Sequence, residues 1–187
     1  MARIGEQAFW GCNFTGDLII SSSVEHIGKE AFGYAYQGYP TLTIEEGVSE
    51  IGDFAFLNCD GLTSIEIPNG VTSIEKYAFS NCYALESVII PEGVESITDE
   101  AFRDCKNLHE IKIPSSVIET SKFSFVGTPW FENQKGASVY AGSVLIHFNE
   151  PCAEEFAVRE GTVSIGDSAF AEGDWANRVT YPLLKKV

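Results

Sequence analysis

The sequence predicts a repeat solenoid: short strands stack into a parallel β-sheet on one face, short helical turns complete each coil, and a small β-hairpin is inserted into the array. Two observations carry this expectation. An apolar residue followed four and five positions later by Ala-Phe recurs as IGEQAFWGC from Ile4, IGKEAFGYA from Ile27, IGDFAFLNC from Ile51, IEKYAFSNC from Ile74 and ITDEAFRDC from Ile97, at steps of 23, 24, 23 and 23. A worn copy, TSKFSFVGT, begins at Thr120 and a clean one, IGDSAFAEG, at Ile165; the 45 residues between them make about two units, so one unit has been replaced by something else. A unit of this length cannot bury its own apolar face, whereas stacked copies share a continuous core.

The strand comes from a second shared element, seen in LTSIEIPNGV, LESVIIPEGV and LHEIKIPSSV. Ile65 and Ile67, Val88 and Ile90, and Ile111 and Ile113 are β-branched and two apart, which suits a strand with one buried face. Leu18 and Ile20, Leu42 and Ile44, Phe156 and Val158, and Val179 and Tyr181 share the phase. These segments are expected to form one parallel sheet. Pro68, Pro91, Pro114 and Pro182 follow the strands, and proline has no amide hydrogen to continue a ladder. Asn-Gly, Glu-Gly or Ser-Ser then turns the chain. The anchor segment that follows reads as a helical turn, and its Phe9, Phe32, Phe56, Phe79, Phe102, Phe125 and Phe170 should form one interior column.

Cys12, Cys59, Cys82 and Cys105 lie three residues after the anchor Phe, where other units hold Ala35, Thr128 and Gly173. Only small residues occupy that position, so buried inert thiols are favoured over a metal site, which needs converging ligands. Parallel Cβ vectors also oppose disulfides between neighbouring rungs. Cys152, in the irregular NEPCAEE, is the reactive exception.

The stretch 127–155 interrupts the regular units 4–126 and 156–182 of what reads as a single solenoid over 1–187. Within it VYAGSVLIHF reads as two strands around Ala141-Gly142-Ser143, flanked by Trp130 and Phe131. Bracing the solenoid and binding a ligand are both open to it. The second unit is lengthened by GYAYQGYP, which gathers Tyr34, Tyr36 and Tyr39 in a loop; clustered tyrosines stack on sugars, anchor a partner or pack the loop itself. Alternation along the strands points Ile19, Thr43, Glu66, Ile89, Lys112 and Ala157 outward, a stripe of mixed chemistry that is a candidate contact surface. The ligand-binding candidates are therefore Tyr34, Tyr36, Tyr39, Thr43, Glu66, Ile89 and Lys112.

Composition excludes several functions. A formal charge of −15 on 187 residues opposes nucleic-acid binding, which draws on clustered Lys and Arg. No apolar run is long enough to span a membrane, and MARIGEQAFW lacks the features of a signal peptide. The three histidines, His26, His109 and His147, are not brought together by spacing, and no nucleophile and base are paired. No phosphate loop or calcium loop is present. The chain therefore reads as a non-enzyme with no catalytic residue, no metal ligand set and no cofactor. One glycosylation sequon, Asn13-Phe14-Thr15, matters only in a glycosylating host.

The pattern LxxIxIPxxVxxIxxxAFxxCxxL, together with GTPWFENQ at 127–134, resembles the BspA-like leucine-rich repeats found mainly in surface proteins of host-associated bacteria. The resemblance covers nearly the whole chain and implies a leucine-rich-repeat solenoid. It carries over no catalytic residues. What it implies is a protein or glycan interaction module of a bacterial cell-surface or secreted protein, located at the surface or outside the cell in its parent, with a structural spacer array as the alternative. The array shows no evident terminal cap and reads as a piece of something longer.

Overall fold

The structure, a computed structural model, describes residues 2–35, 41–148 and 158–170. Strands β1 (Ala2–Ile4), β2 (Leu18–Ile20), β3 (Val24–Ile27), β4 (Leu42–Ile44), β5 (Glu50–Ile51), β6 (Ser64–Glu66), β7 (Ser73–Ile74), β8 (Ser87–Ile89), β9 (Ser96–Ile97) and β10 (Glu110–Lys112) alternate between two faces of a solenoid. The even-numbered strands make the predicted parallel ladder. Leu18, Ile19 and Ile20 register with Leu42, Thr43 and Ile44, and Ile65, Val88 and Ile111 align across β6, β8 and β10. The two groups meet through a single bridge between Thr41 and Ser64. The predicted segments at 156–158 and 179–181 fall wholly or largely outside the described residues.

The odd-numbered strands form a second parallel ladder that the sequence reading lacks. Ile4, Ile27 and Ile51 align across β1, β3 and β5, and Ile74 and Ile97 across β7 and β9. Each anchor isoleucine thus ends a strand instead of opening a helix.

The Ala-Phe segments are not helical, a second departure from expectation. A helix bonds each amide to a carbonyl four residues back along its own chain. Here the anchor Phe amides bond the neighbouring coil instead: Phe9 to the Ala31 carbonyl at 2.8 Å, Phe32 to Ala55 at 2.8 Å, Phe56 to Ala78 at 2.8 Å, Phe79 to Ala101 at 2.9 Å and Phe102 to Ser124 at 2.9 Å. Two residues before each Phe the backbone turns left-handed, with φ of 54° at Gln7, 57° at Glu30, 58° at Phe54, 55° at Tyr77 and 62° at Glu100. A helix tolerates no such residue. The outcome is a third inter-coil ladder. Helical structure among the described residues is confined to a 3₁₀ turn at Lys122–Ser124 and helix α1 (Pro129–Glu132).

The core lies inside the three ladders. Rings of Phe9, Phe32, Phe56, Phe79, Phe102 and Phe125 stack in sequence with centroids 5.1, 5.3, 5.3, 5.5 and 6.2 Å apart. Beside them Cys59, Cys82 and Cys105 are fully buried free thiols. Each donates to the carbonyl of the anchor Phe one coil back: Phe32 at 3.3 Å, Phe56 at 3.2 Å and Phe79 at 3.1 Å. Burial pushes the Cys82 thiol well above its ordinary value, which keeps it protonated and inert. Cys12 is exposed; Cys152 lies outside the described residues.

The hairpin forms as the sequence predicts, from β11 (Ser138–Ala141) and β12 (Val144–Phe148), antiparallel around Gly142-Ser143. Gly142 has φ +59°, and a Cβ there would stand 2.7 Å from the Pro114 carbonyl oxygen, so the turn requires glycine. Strand β12 then pairs in parallel with β13 (Ser164–Ile165). The Gly166 amide donates to Leu145 and the Phe148 amide to the Ala169 carbonyl, both at 2.8 Å. The same bonds join Gly52 to Ile27 and Phe32 to Ala55 elsewhere. Strand β12 therefore stands where a coil is missing, with Leu145 and Phe148 in the places of an anchor Ile and Phe. Phe170 accordingly packs on Phe148, at 5.5 Å, and Trp130 closes over Phe125 at 4.9 Å. Arg159 pins the hairpin: its guanidinium lies 4.1 Å from the Tyr140 ring centroid and donates to the Gly142 carbonyl at 2.8 Å.

Candidate functional site

Alternation along the even-numbered strands sends one residue per strand inward and the next outward. Ile65, Val88 and Ile111 are buried, while Thr43, Glu66 and Lys112 are exposed, as are Ile19 at 62% and Ile89 at 48%. Backbone register sets Ile19 beside Thr43, and Ile89 between Glu66 and Lys112. Where the ladder narrows to the Thr41–Ser64 bridge, a groove of about 420 Å³ opens between Leu42–Glu46 and Ser64–Pro68, and Thr43 and Glu66 line it. The structure thus brings five of the predicted outward residues onto one face. Ala157 lies outside the described residues.

Tyr34 does not join them. Its amide donates to the Leu57 carbonyl at 2.7 Å, which places it on the third ladder, and its ring packs on Trp10 with centroids 4.5 Å apart. Tyr36 and Tyr39 lie outside the described residues.

The outer side of the third ladder holds an array that the sequence reading missed. Phe54 and Tyr77, both at left-handed positions, stack at 4.9 Å and 10°. Lys29 lies 5.9 Å from the Phe54 ring centroid and Lys76 5.4 Å from that of Tyr77. The Tyr77 hydroxyl donates to Glu100 at 2.7 Å, Glu100 pairs with Arg103, Arg103 with Asp104, and Asp104 with Lys106. Burial raises the Glu100 carboxyl, but hydrogen bonds from Tyr77 and Arg103 outweigh it and leave the pKa lowered. The bond to Glu100, followed by burial, holds the Tyr77 phenol raised.

A second left-handed position follows each anchor Phe by two, held by Gly11, Tyr34, Asn58, Asn81, Asp104 and Gly127. Its Gly, Asn and Asp are the residues that adopt φ above zero most readily. That column was a readable signal. Tyr34, Phe54, Asn58, Tyr77, Asn81 and Arg103 line a groove of about 380 Å³ across these coils.

The histidines stay apart. His26 Nδ1 pairs with Glu50 at 2.9 Å, His109 is exposed, and His147 packs against Phe131 at 5.8 Å. Burial, then the Lys122 charge, lowers the His147 pKa. Among the described residues no group of three His, Cys, Asp or Glu is placed to hold a metal ion, and no helix is long and apolar enough to cross a membrane.

A family profile described as the BspA type leucine rich repeat region matches residues 2–129, in six copies. The chain belongs to the BspA-type leucine-rich repeat family. Solved leucine-rich repeat proteins share its fold. A T. pallidum leucine-rich repeat protein is 30% identical over 68% of this chain and 59% of its own, with a TM-score of 0.64. A leucine-rich repeat protein from Bacteroides ovatus is 24% identical over 88% of this chain and 42% of its own, at a TM-score of 0.65. One from Eubacterium ventriosum is 21% identical over 90% of this chain and 48% of its own, at 0.56. The chain therefore spans about half the length of these relatives. Comparison with curated proteins finds no match.

Proposed function

We propose that this BspA-type repeat array is an interaction module of a bacterial cell-surface or secreted protein, binding a protein or glycan partner through its outward strand stripe. BspA-type repeats are repeat modules with an interaction or scaffold role and are generally not enzymes. The carrying observation is that the scaffold repeats while the stripe does not: Ile19, Thr43, Glu66, Ile89 and Lys112 share one register on one face yet differ in chemistry. A solenoid that varies only where partners can reach presents a designed surface. The pair Ile19 and Ile89 supplies apolar contact, and Glu66 and Lys112 flank Ile89 with opposite charges that favour one orientation of a partner. Tyr34, on the third ladder, offers a second, separate contact, and Tyr36 and Tyr39 are proposed to act with it.

The test is a protein and glycan array probed with the native chain, an Ile19→Asp/Ile89→Asp variant and a Tyr34→Ala/Tyr36→Ala/Tyr39→Ala variant. Binding lost in the first variant with an unchanged melting temperature supports the stripe. Binding unaltered in both removes both surfaces from the site. No ligand at all, with the natural flanking sequence restored, favours the spacer.

A further inference from the structure

We infer that the groove on the third ladder is a binding site for a neutral oligosaccharide laid along the solenoid axis. The inference rests on the reading of the chain as an interaction module, and it assigns to that module a second face and a ligand class.

Aromatic and amide residues line the groove together. Phe54 and Tyr77 stack on each other with Lys29 and Lys76 over their rings, and both line the groove together with Tyr34. Asn58 and Asn81 line it too, one coil apart, with backbone amides that donate to the Ser80 and Arg103 carbonyls. Their side-chain amides make no hydrogen bond among the described residues. Each is half-buried and offers one acceptor and two donors. Left-handed φ of 57° at both residues fixes the backbone from which these amides project.

Charge selects a neutral ligand. The charged groups at the far end are already satisfied in the chain from Glu100 through Arg103 and Asp104 to Lys106. What the groove has left to offer is amide and ring. The −15 charge of the chain also repels polyanions.

Spacing selects a saccharide over a peptide. Coils recur about every 4.8 Å, whereas an extended peptide presents equivalent amides only every two residues, at about 6.6 Å. A peptide would thus fall out of step with Asn58 and Asn81 within one repeat. A pyranose ring is about as long as one coil is high. Its vicinal hydroxyls each donate and accept, matching an amide, and its C–H groups make apolar contact with the flanking rings.

The experiment is calorimetric titration of the 187-residue chain with maltohexaose, cellohexaose, mannohexaose and N-acetylchitohexaose, with a heparin hexasaccharide as the anionic probe. At least one neutral hexasaccharide is expected to bind with an affinity independent of salt. Asn58→Gly/Asn81→Gly keeps the left-handed backbone and deletes both amides, and should weaken binding about tenfold or more with the melting temperature held. Glu92→Gln, on an exposed turn outside both surfaces, should leave saccharide binding unchanged. Failure of every neutral hexasaccharide, binding of the anionic probe alone, or binding indifferent to the asparagine changes overturns the inference. A protein partner lost with the stripe variant, alongside absent saccharide binding, overturns it while the interaction module stands.

Discussion

Replacing Phe79 by alanine tests whether the solenoid is held by one continuous stack of rings. Phe79 is fully buried, with Phe56 on one face at 5.3 Å and Phe102 on the other at 5.5 Å. Both neighbours are held by backbone ladders, since the Phe56 amide donates to the Ala78 carbonyl and the Phe102 amide to that of Ser124. The cavity left by the ring therefore cannot collapse. Phe→Ala in a core costs about 3–5 kcal/mol, with the upper end reached where relaxation is blocked, so about 4–5 kcal/mol is expected. Phe9 is the internal control: it is 38% exposed and stacks on Phe32 through one face only, at 5.1 Å. With roughly half the burial and room to relax, Phe9→Ala should cost about 1–2 kcal/mol. Urea unfolding followed by far-ultraviolet circular dichroism measures both, and their difference is more secure than either value. Equal losses in the two variants, or less than about 1.5 kcal/mol for Phe79→Ala, would refute the continuous stack.

Four further outcomes are expected. Thiol labelling of the native protein should spare Cys59, Cys82 and Cys105 and modify Cys12, with Cys152 proposed as reactive too; full labelling without denaturant would show that the thiol column is not interior. Cys82→Ala should cost less than about 1.5 kcal/mol, since it removes only a weak bond to the Phe56 carbonyl and Ala35 already fills that place two coils earlier. At Asn81, with φ +57°, alanine should cost about 1–2 kcal/mol and glycine much less; thermal melts that rank alanine above glycine would contradict the left-handed backbone. Glu100 has a lowered pKa in the folded state, so its contribution is present above the ordinary carboxylate value of 4.5 and is lost as pH falls through the lower folded value. Glu100→Gln should therefore flatten the acid limb of the stability curve, and an unchanged limb would mean that its bonds to Tyr77 and Arg103 contribute nothing.

The parts of the fold legible in the sequence were those with a long enough pattern. The Phe column and the first ladder announce themselves because apolar pairs such as Ile65 and Ile67 recur in phase before Pro68, Pro91 and Pro114. The hairpin was readable from Gly142 between two apolar runs. The second ladder was not, because β5, β7 and β9 are two residues long, too short for alternation to show. The third ladder was masked differently. Its first left-handed position holds Gln7, Glu30, Phe54, Tyr77 and Glu100, residues with no preference for such backbone, so the segment imitates a helical turn. The outward stripe followed directly from alternation. The aromatic and amide groove was missed although the column of Asn58 and Asn81, two residues after the anchor Phe, was there to be read; Phe54 and Tyr77 stand at a position that elsewhere holds Gln7, Glu30 and Glu100, so nothing marked it as aromatic.

Strand β12 shows what a coil asks of its neighbour. Leu145 and Phe148 are three residues apart, whereas an anchor Ile and its Phe are five apart in every regular coil, and β12 arrives from a reversed partner strand. Ile165 and Ala169 accept it nonetheless, because it offers a carbonyl and an amide at the right heights. The next coil reads peptide groups and a ring, not a consensus. An array built on that rule is open to splicing: foreign segments can be let into it, carrying new surface, wherever they bring one strand edge and one aromatic side chain to the seam.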